Sequence, residues 1–178
     1  MTRQIALSFA DALLADGPAA DRADAMGLYG QFVGRWEMDV RRFMDDGRVL
    51  PGAGEIHFAW ALEGRAVQDV WITPPRDPVP GTPDAGGLAF YGTTLRIYDP
   101  GLGAWHIFWH DPIKQLHLRM TGRAEGRQIV QHGHADDGTP VRWRFTDIAP
   151  ASFRWIGERA AADGAGWRTE VEFLARRI

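Results

Sequence analysis

The chain contains no cysteine. This absence excludes disulfides, thiolate nucleophiles and thiolate metal ligands, and it leaves histidine, aspartate and glutamate as the only strong metal ligands. Lysine is almost missing, because Lys114 is the only lysine among the 20 basic residues and the others are arginines. The formal net charge of −3 shows no basic excess for a polyanion, so we expect no nucleic-acid partner.

Long apolar runs are also missing at the start of the chain. The segment MTRQIALSFADALLADGPAAD has one arginine and a short apolar stretch that Asp11 and Asp16 interrupt. Such a segment is too polar for a signal-peptide core and too short to span a bilayer. We therefore expect a cytoplasmic protein without a membrane span. Whether the protein forms a homodimer stays an open question.

Aromatic residues are abundant instead. The 178 residues include eight tryptophans and nine phenylalanines, and large aromatic side chains fill cores and line small-molecule pockets. A chain of this length forms one domain with one core. The aromatics indicate either a heavy core or a binding site, and composition alone does not separate the two.

Residues 1–34 differ from the rest of the chain. Apolar side chains at helical spacing, with Ser8 and Asp21 as N-cap residues, predict two short helices that pack on a larger body. From residue 35 onward the apolar pattern has a period of two, which is typical of strands. We therefore divide the chain into an N-terminal helical segment, residues 1–34, and a β-barrel domain, residues 35–178.

Short turns rich in Asp, Gly and Pro divide the second region into strands. Only the segment from Pro74 to Gly87 is long enough to be a functional loop or a cover over an opening. The ten predicted strands are 35–43, 54–62, 65–73, 88–98, 103–110, 115–121, 127–134, 140–147, 152–160 and 166–176.

Up-and-down strands with tight turns leave two unpaired edges unless the sheet closes. We therefore predict an all-β fold: a single closed antiparallel up-and-down β-barrel of about ten strands, with the short N-terminal helices as a lid or plug. Ten strands give a wider lumen than eight, so we expect a cavity inside.

The alternation also assigns each strand side chain to a face. One face carries all eight tryptophans, among them Trp167, whereas the other carries arginines, glutamates and histidines. Since a slip of one residue would expose the tryptophans, we expect their face to point inward. A buried charge needs a partner, so polar residues on this face either pair with each other or contact the polar end of a ligand. These inward polar residues are Arg42, Asp69, Gln131 and Arg159.

Histidines on neighbouring predicted strands raise the question of a metal site. Three converging imidazoles could bind zinc or iron, and one could ligate haem. They share the strand face that we expect outside, so an exposed polar stripe is the alternative. We predict no metal and no cofactor, with haem as the alternative. The histidines concerned are His106, His110, His117, His132 and His134.

The tripeptide Gly34-Arg35-Trp36 at the head of the first strand resembles the G-x-W motif of lipocalins and the wider calycin group. The runs YGTTLRIYDPGLGAWHIFWHDP and VRWRFTDIAPASFRWIGERAAADGAGWRTEVEFLARR resemble a bacterial protein family related to that group. The resemblance covers about residues 30–178. It implies a ten-stranded barrel similar to fatty-acid-binding proteins or nitrobindin-like haem barrels, with the cavity as the ligand site. It also implies that Trp36 lies across the closed end, in contact with Arg176 or Arg177.

The function that we predict is intracellular binding of a small, mostly apolar ligand, fatty-acid-like or isoprenoid-like, in the barrel cavity. We expect no catalytic residue. An enzyme acting in the same cavity is the alternative, and it would need an inward acid or base, for which Asp69 is the only carboxylate that the alternation offers. The predicted ligand-binding residues are Trp36, Arg42, Phe58, Trp60, Asp69, Trp71, Trp105, Trp109, Gln131, Trp143 and Trp155.

Overall fold

The computed structural model describes residues 8–78, 80–82, 89–164 and 166–178. Ten long strands form one closed antiparallel barrel, in which each strand pairs with the next along the chain and the last pairs with the first. This confirms the predicted fold class. A short additional strand, β1 (Leu14–Ala15), pairs with the end of β3 outside this ring. The barrel strands are β2 (Gly34–Phe43), β3 (Val49–Ala61), β4 (Ala66–Thr73), β5 (Phe90–Asp99), β6 (Ala104–Asp111), β7 (Leu116–Glu125), β8 (Gln128–His134), β9 (Pro140–Ala149), β10 (Ser152–Ala160) and β11 (Trp167–Arg177).

Two strands extend at least four residues beyond a predicted end. β3 begins at Val49 rather than at residue 54, because its first residues pair with the end of β2, Val49 beside Phe43. The Pro-Gly pair that follows Leu50 is typical of a turn, which is why the sequence hides this extension. β7 continues to Glu125 instead of ending at residue 121. Residue 88, the predicted start of β5, and part of the loop from Pro74 to Gly87 lie outside the described residues.

The aromatic face points into the barrel, as the alternation predicts. Strand side chains of this face form one continuous core cluster together with residues of the N-terminal segment. Burial of this apolar area is the main favourable contribution to folding. Tryptophans of the cluster that are at most 6% exposed are Trp36, Trp71, Trp105 and Trp155.

The prediction that Trp167 points inward is wrong, because this side chain lies on the outer surface. It is 36% exposed, and its ring stacks on the guanidinium of Arg142 at 4.4 Å. Val171 and Thr169 of β11 face consecutive residues of β10, which leaves Glu170 as an additional residue between them. Such a β-bulge reverses the alternation beyond it. The residues of β11 before Glu170 therefore point to the opposite side from the one predicted.

Helix α2 (Ala23–Gly30) fills the closed end of the barrel, which we define as the end where β2 begins. Met26 and Tyr29 on this helix have no exposed surface, and Phe32 just after it is 1% exposed. The Phe32 ring stacks on the ring of Phe145 of β9, with centroids 4.7 Å apart. Apolar side chains of the N-terminal segment thus occupy the lumen itself.

Helix α1 (Phe9–Leu13) precedes β1 and has no buried residue. Ser8 caps it as predicted: its Oγ accepts a hydrogen bond from the Asp11 N–H at 3.2 Å, and the Asp11 carboxylate accepts one from the Ser8 N–H at 2.8 Å. Asp21 does not cap α2, and its carboxylate instead pairs with Arg65 at 2.9 Å. Within the described ranges, no helix has the length and apolar character needed to cross a membrane.

The G-x-W motif packs around the side chain of Arg177. The Arg177 guanidinium lies 4.1 Å from the centre of the Trp36 ring and donates hydrogen bonds to the carbonyls of Val33 and Gln31 at 2.7 Å each. Gly34 has a φ of 131°, and a Cβ at that position would lie 2.6 Å from Arg177 Nη1. Glycine is therefore required by the backbone conformation, and it also leaves room for the guanidinium. The expected contact of Trp36 with an arginine of the last strand is confirmed for Arg177.

We expect Phe32→Ala to lower the free energy of unfolding by about 3–5 kcal/mol, because it leaves a void among the core rings. Phe9→Ala is the matched control, since Phe9 is 83% exposed, and its effect should stay within about 0.5 kcal/mol. Urea denaturation followed by tryptophan fluorescence measures both. Equal effects of the two substitutions would contradict the role of Phe32 as a plug.

Candidate functional site

A cavity of about 290 Å³ lies at the open end of the barrel, where β2 ends and β11 begins. Its wall is mostly aromatic, and the rings contact one another: Trp155 stacks on Phe173 with centroids 4.9 Å apart and meets Trp143 edge-on at 5.2 Å. Ligand pockets occupy about 300–1,000 Å³, so the cavity suits a small apolar molecule. The aromatic lining residues are Trp71, Phe90, Trp109, Trp143, Trp155 and Phe173.

Two positive charges line the mouth of this cavity. Arg42 lies near the end of β2, and Lys114 lies in the turn between β6 and β7. Among the described residues, neither side chain has a hydrogen-bonded or ion-paired partner. Lys114 Nζ instead lies 5.5 Å from the centre of the Phe90 ring. Partial burial, together with the charge of Arg42, lowers the pKa of Lys114 below its ordinary value. Two such cations form a site for an anionic or strongly polar group.

Other charged residues that line the cavity already have partners: Glu158 pairs with Arg142 and Arg144, and Glu170 pairs with Arg168. Arg159 lines the cavity and donates a hydrogen bond to the Asp137 carboxylate in the turn between β8 and β9. Asp111 is buried, and its Oδ1 accepts hydrogen bonds from the backbone N–H groups of Ile113 at 2.9 Å and Lys114 at 3.2 Å. Asp111 therefore fixes the turn that carries Lys114.

A buried ion pair lies beneath the cavity. Arg96 of β5 and Asp69 of β4 are each 1% exposed, and Arg96 Nη1 donates to the Asp69 carboxylate. The other carboxylate oxygen accepts a hydrogen bond from the Thr94 N–H at 2.9 Å. The guanidinium lies 5.0 Å from the centre of the Tyr29 ring and 5.7 Å from that of Phe58. The carboxylate and the aromatic faces together offset the loss of water around the guanidinium.

Polar atoms in this layer remain without partners among the described residues. They include Trp71 Nε1, Arg96 Nε and both amide atoms of the Gln131 side chain. Trp71 and Arg96 line the cavity, whereas Gln131 does not. An unsatisfied buried donor costs about 1–3 kcal/mol, so a bound molecule that accepts a hydrogen bond from Trp71 gains affinity. The cavity thus combines a donor deep inside with two cations at the mouth.

The sequence matches no protein-family model and no curated protein. Solved structures do match the fold. The crystal structure of Rv2717c from M. tuberculosis has a TM-score of 0.60 and 14% identity, covering 88% of this chain and 98% of that chain. The S-type phycobiliprotein lyase CPES from Guillardia theta has a TM-score of 0.58 and 10% identity, covering 90% and 98%. The fold is calycin-like.

The cavity of this calycin-like barrel brings together only part of the predicted ligand-binding set. The predicted residues that line it are Arg42, Trp71, Trp109, Trp143 and Trp155. The predicted residues outside its lining are Trp36, Phe58, Trp60, Asp69, Trp105 and Gln131. Helix α2 covers part of this second set: the Tyr29 ring meets Trp105 edge-on at 4.9 Å, and a Cβ at Gly30 would lie 2.1 Å from the Trp60 ring. The binding role of the lining residues stays a prediction.

The lining residues that sequence reasoning missed include Phe90, Arg96 and Lys114. The alternation of the predicted strand 88–98 could have found Arg96, because the neighbouring strand carries Asp69 at an inward position. Lys114 lies in a turn, where no periodicity applies, and its only signal is that it is the one lysine. Asp111 and Glu158 are further buried carboxylates, and both line the cavity, so the prediction that Asp69 is the only inward carboxylate is wrong.

The histidines considered as metal or haem ligands lie outside the cavity. His110 and His117 are exposed and face each other, with their Nδ1 atoms 2.9 Å apart, while His106 contacts the Asp99 carboxylate at 3.0 Å. No group of three or more metal-ligating side chains occurs in the part of the chain that the structure describes. Since no described histidine lines the cavity, the residues there do not fit a haem held by an imidazole. Two further exposed histidines are His132 and His134.

Asp69→Asn should lower the free energy of unfolding by about 3 kcal/mol or more, because it leaves the Arg96 charge buried without its counter-ion. Asp39→Asn is the matched control: Asp39 pairs with Arg176 at 2.8 Å, with both side chains about half exposed, and such a pair contributes about 0–1 kcal/mol. Chemical denaturation of both variants checks the difference. Equal stability of the two variants would show that the Asp69 carboxylate is not required by Arg96.

Proposed function

We propose that this barrel is a binding protein for a small, mostly apolar molecule, whose polar end lies at the mouth beside Arg42 and Lys114. The observation that carries the proposal is the cavity of about 290 Å³, with its aromatic wall and its two unpartnered lining cations. A short fatty-acid-like or isoprenoid-like chain with an acid group has the matching chemistry. Its carboxylate would accept charge-assisted hydrogen bonds while its chain contacts the rings.

The magnitudes favour a ligand that uses both parts of the site. Burying about eight methylene groups contributes roughly 6 kcal/mol. Association costs about 4 kcal/mol or more in lost motion, so the apolar contact alone gives weak binding. A hydrogen bond to a charged group adds about 1.5–3 kcal/mol. The contact at the mouth therefore decides whether such a ligand binds usefully.

The fold and the arrangement of charges support binding over catalysis. Larger antiparallel barrels enclose ligand cavities. An enzyme that used Asp69 as its acid or base would need that carboxylate free, whereas it is held by Arg96 and by the Thr94 N–H. Asp111 likewise accepts two backbone hydrogen bonds.

We propose that the N-terminal segment, residues 1–34, acts as a plug rather than as a lid. Its described part enters the closed end through Met26, Tyr29 and Phe32, all of which are buried. The cavity lies at the other end, and none of the described residues of this segment, 8–34, lines it. Ligand entry at the mouth therefore requires no movement of α2.

Binding of octanoate and 1-octanol, followed by quenching of tryptophan fluorescence, tests the proposal. Arg42→Ala should weaken octanoate binding by about tenfold, because it removes a charged hydrogen-bond donor from the mouth. The same substitution should change 1-octanol binding much less, since the neutral alcohol gains little from a full charge.

Arg41→Ala is the control, because Arg41 is exposed and precedes Arg42 on the same strand, so its side chain points outward. It changes the net charge by the same amount and should leave octanoate binding unaltered. The proposal fails if neither compound quenches the fluorescence, or if both arginine variants weaken octanoate binding equally.

A further inference from the structure

Lys114 is the only lysine of the chain, and it lies at the mouth of the cavity. A positive charge there could equally be supplied by arginine, which occupies the other basic positions of the sequence. The two side chains differ in chemistry: the guanidinium stays protonated in proteins, whereas the ammonium can lose a proton and become a nucleophilic amine. The only amine among the basic side chains, that of Lys114, therefore lies where the polar end of a bound ligand would lie.

The surroundings of Lys114 favour the neutral amine form of its side chain over the ammonium. Its Nζ lies 5.5 Å from the centre of the Phe90 ring and has no hydrogen-bond partner among the described residues. Partial burial first, and the charge of Arg42 second, lower the pKa of Lys114, while the Asp111 carboxylate acts in the opposite direction. The net shift increases the fraction of neutral amine near neutral pH, which is how lysines become nucleophiles. Because Lys114 is still exposed in part, small molecules can reach it.

We propose that Lys114 forms a reversible imine with a small apolar aldehyde held in the cavity. The inference rests on the proposed function, since the chain of the aldehyde occupies the binding site described there. The neutral amine adds to the carbonyl carbon, and one proton moves from nitrogen to oxygen to give a carbinolamine. The hydroxyl group and the second nitrogen proton then leave as water, and the C=N bond forms. No oxidant or reductant takes part, and water reverses the reaction.

The geometry of the mouth suits each part of this reaction. An aldehyde whose chain points inward, against the aromatic wall, presents its carbonyl group at the level of Lys114 and Arg42. The Arg42 guanidinium can donate a hydrogen bond to the carbonyl oxygen, where negative charge develops during the addition. Holding the two reacting groups together raises their effective concentration.

Reductive trapping with octanal and sodium cyanoborohydride tests the inference, because the hydride converts an imine into a stable secondary amine. Peptide mass spectrometry then identifies the alkylated residue. Lys114 should be labelled at least about tenfold faster than Nα-acetyl-lysine in the same solution, because the cavity holds the aldehyde beside the amine. An excess of 1-octanol, which fits the same cavity and forms no imine, should slow the labelling of Lys114 and leave the free lysine unaffected.

The double variant K114R/R119K is the matched control. Arg119 is exposed on β7 next to Leu118, which lines the cavity, so position 119 points to the outer face. The double variant keeps the net charge and the number of lysines and moves the amine from the mouth to the outside. We expect the relocated amine to react at the rate of free lysine, without an effect of 1-octanol.

The outcomes separate this inference from the function on which it rests. If 1-octanol quenches the tryptophan fluorescence but Lys114 reacts no faster than free lysine, the inference is wrong and the binding function stands. If 1-octanol neither binds nor slows the labelling, both are wrong. The comparison of Lys114 with free lysine uses the unaltered protein, so it remains decisive even if a variant fails to fold.

Discussion

The lumen of a ten-stranded barrel is too wide for its own inward side chains to fill, and the rest of the structure depends on how that space is occupied. At the closed end, α2 and Phe32 enter the lumen and pack against the inward rings of the strands. At the open end no segment of the described chain does so, and a cavity of about 290 Å³ remains. The same strand face thus serves as a core in one half and as the wall of a site in the other.

The Asp69 and Arg96 pair lies where these two halves meet. Arg96 contacts the cavity on one side and the rings of Tyr29 and Phe58 on the other. Replacing such a pair with apolar residues is often neutral or stabilising, so stability alone does not explain its presence. A fixed charge and an unsatisfied Arg96 Nε at the base of the cavity give it a polar floor. This floor limits how deep an apolar chain can extend.

Much of the fold could be predicted from the sequence, because the period of two and the turn residues both act locally. Strand existence, closure and the inward direction of most tryptophans all follow from that pattern. Trp167 could not be placed, since the additional residue Glu170 is a feature of the pairing between two strands. The boundary between core and cavity was also hidden. It depends on how far the N-terminal segment enters the lumen, and Trp105 and Trp109 of one strand lie on different sides of it.

The charge at the mouth could not be inferred from the net charge, because the arginines of this chain serve different purposes. Some bind carboxylates in pairs, as Arg142 and Arg144 do with the buried carboxylate of Glu158, each at 2.8 Å. Planar guanidinium groups suit that geometry. Arg42 and Lys114 have no such carboxylate partner among the described residues, although the chain carries a net charge of −3. Two cations without a paired carboxylate beside an apolar wall are therefore a local property of the site, and the proposed preference for a ligand with an anionic or polar end rests on them.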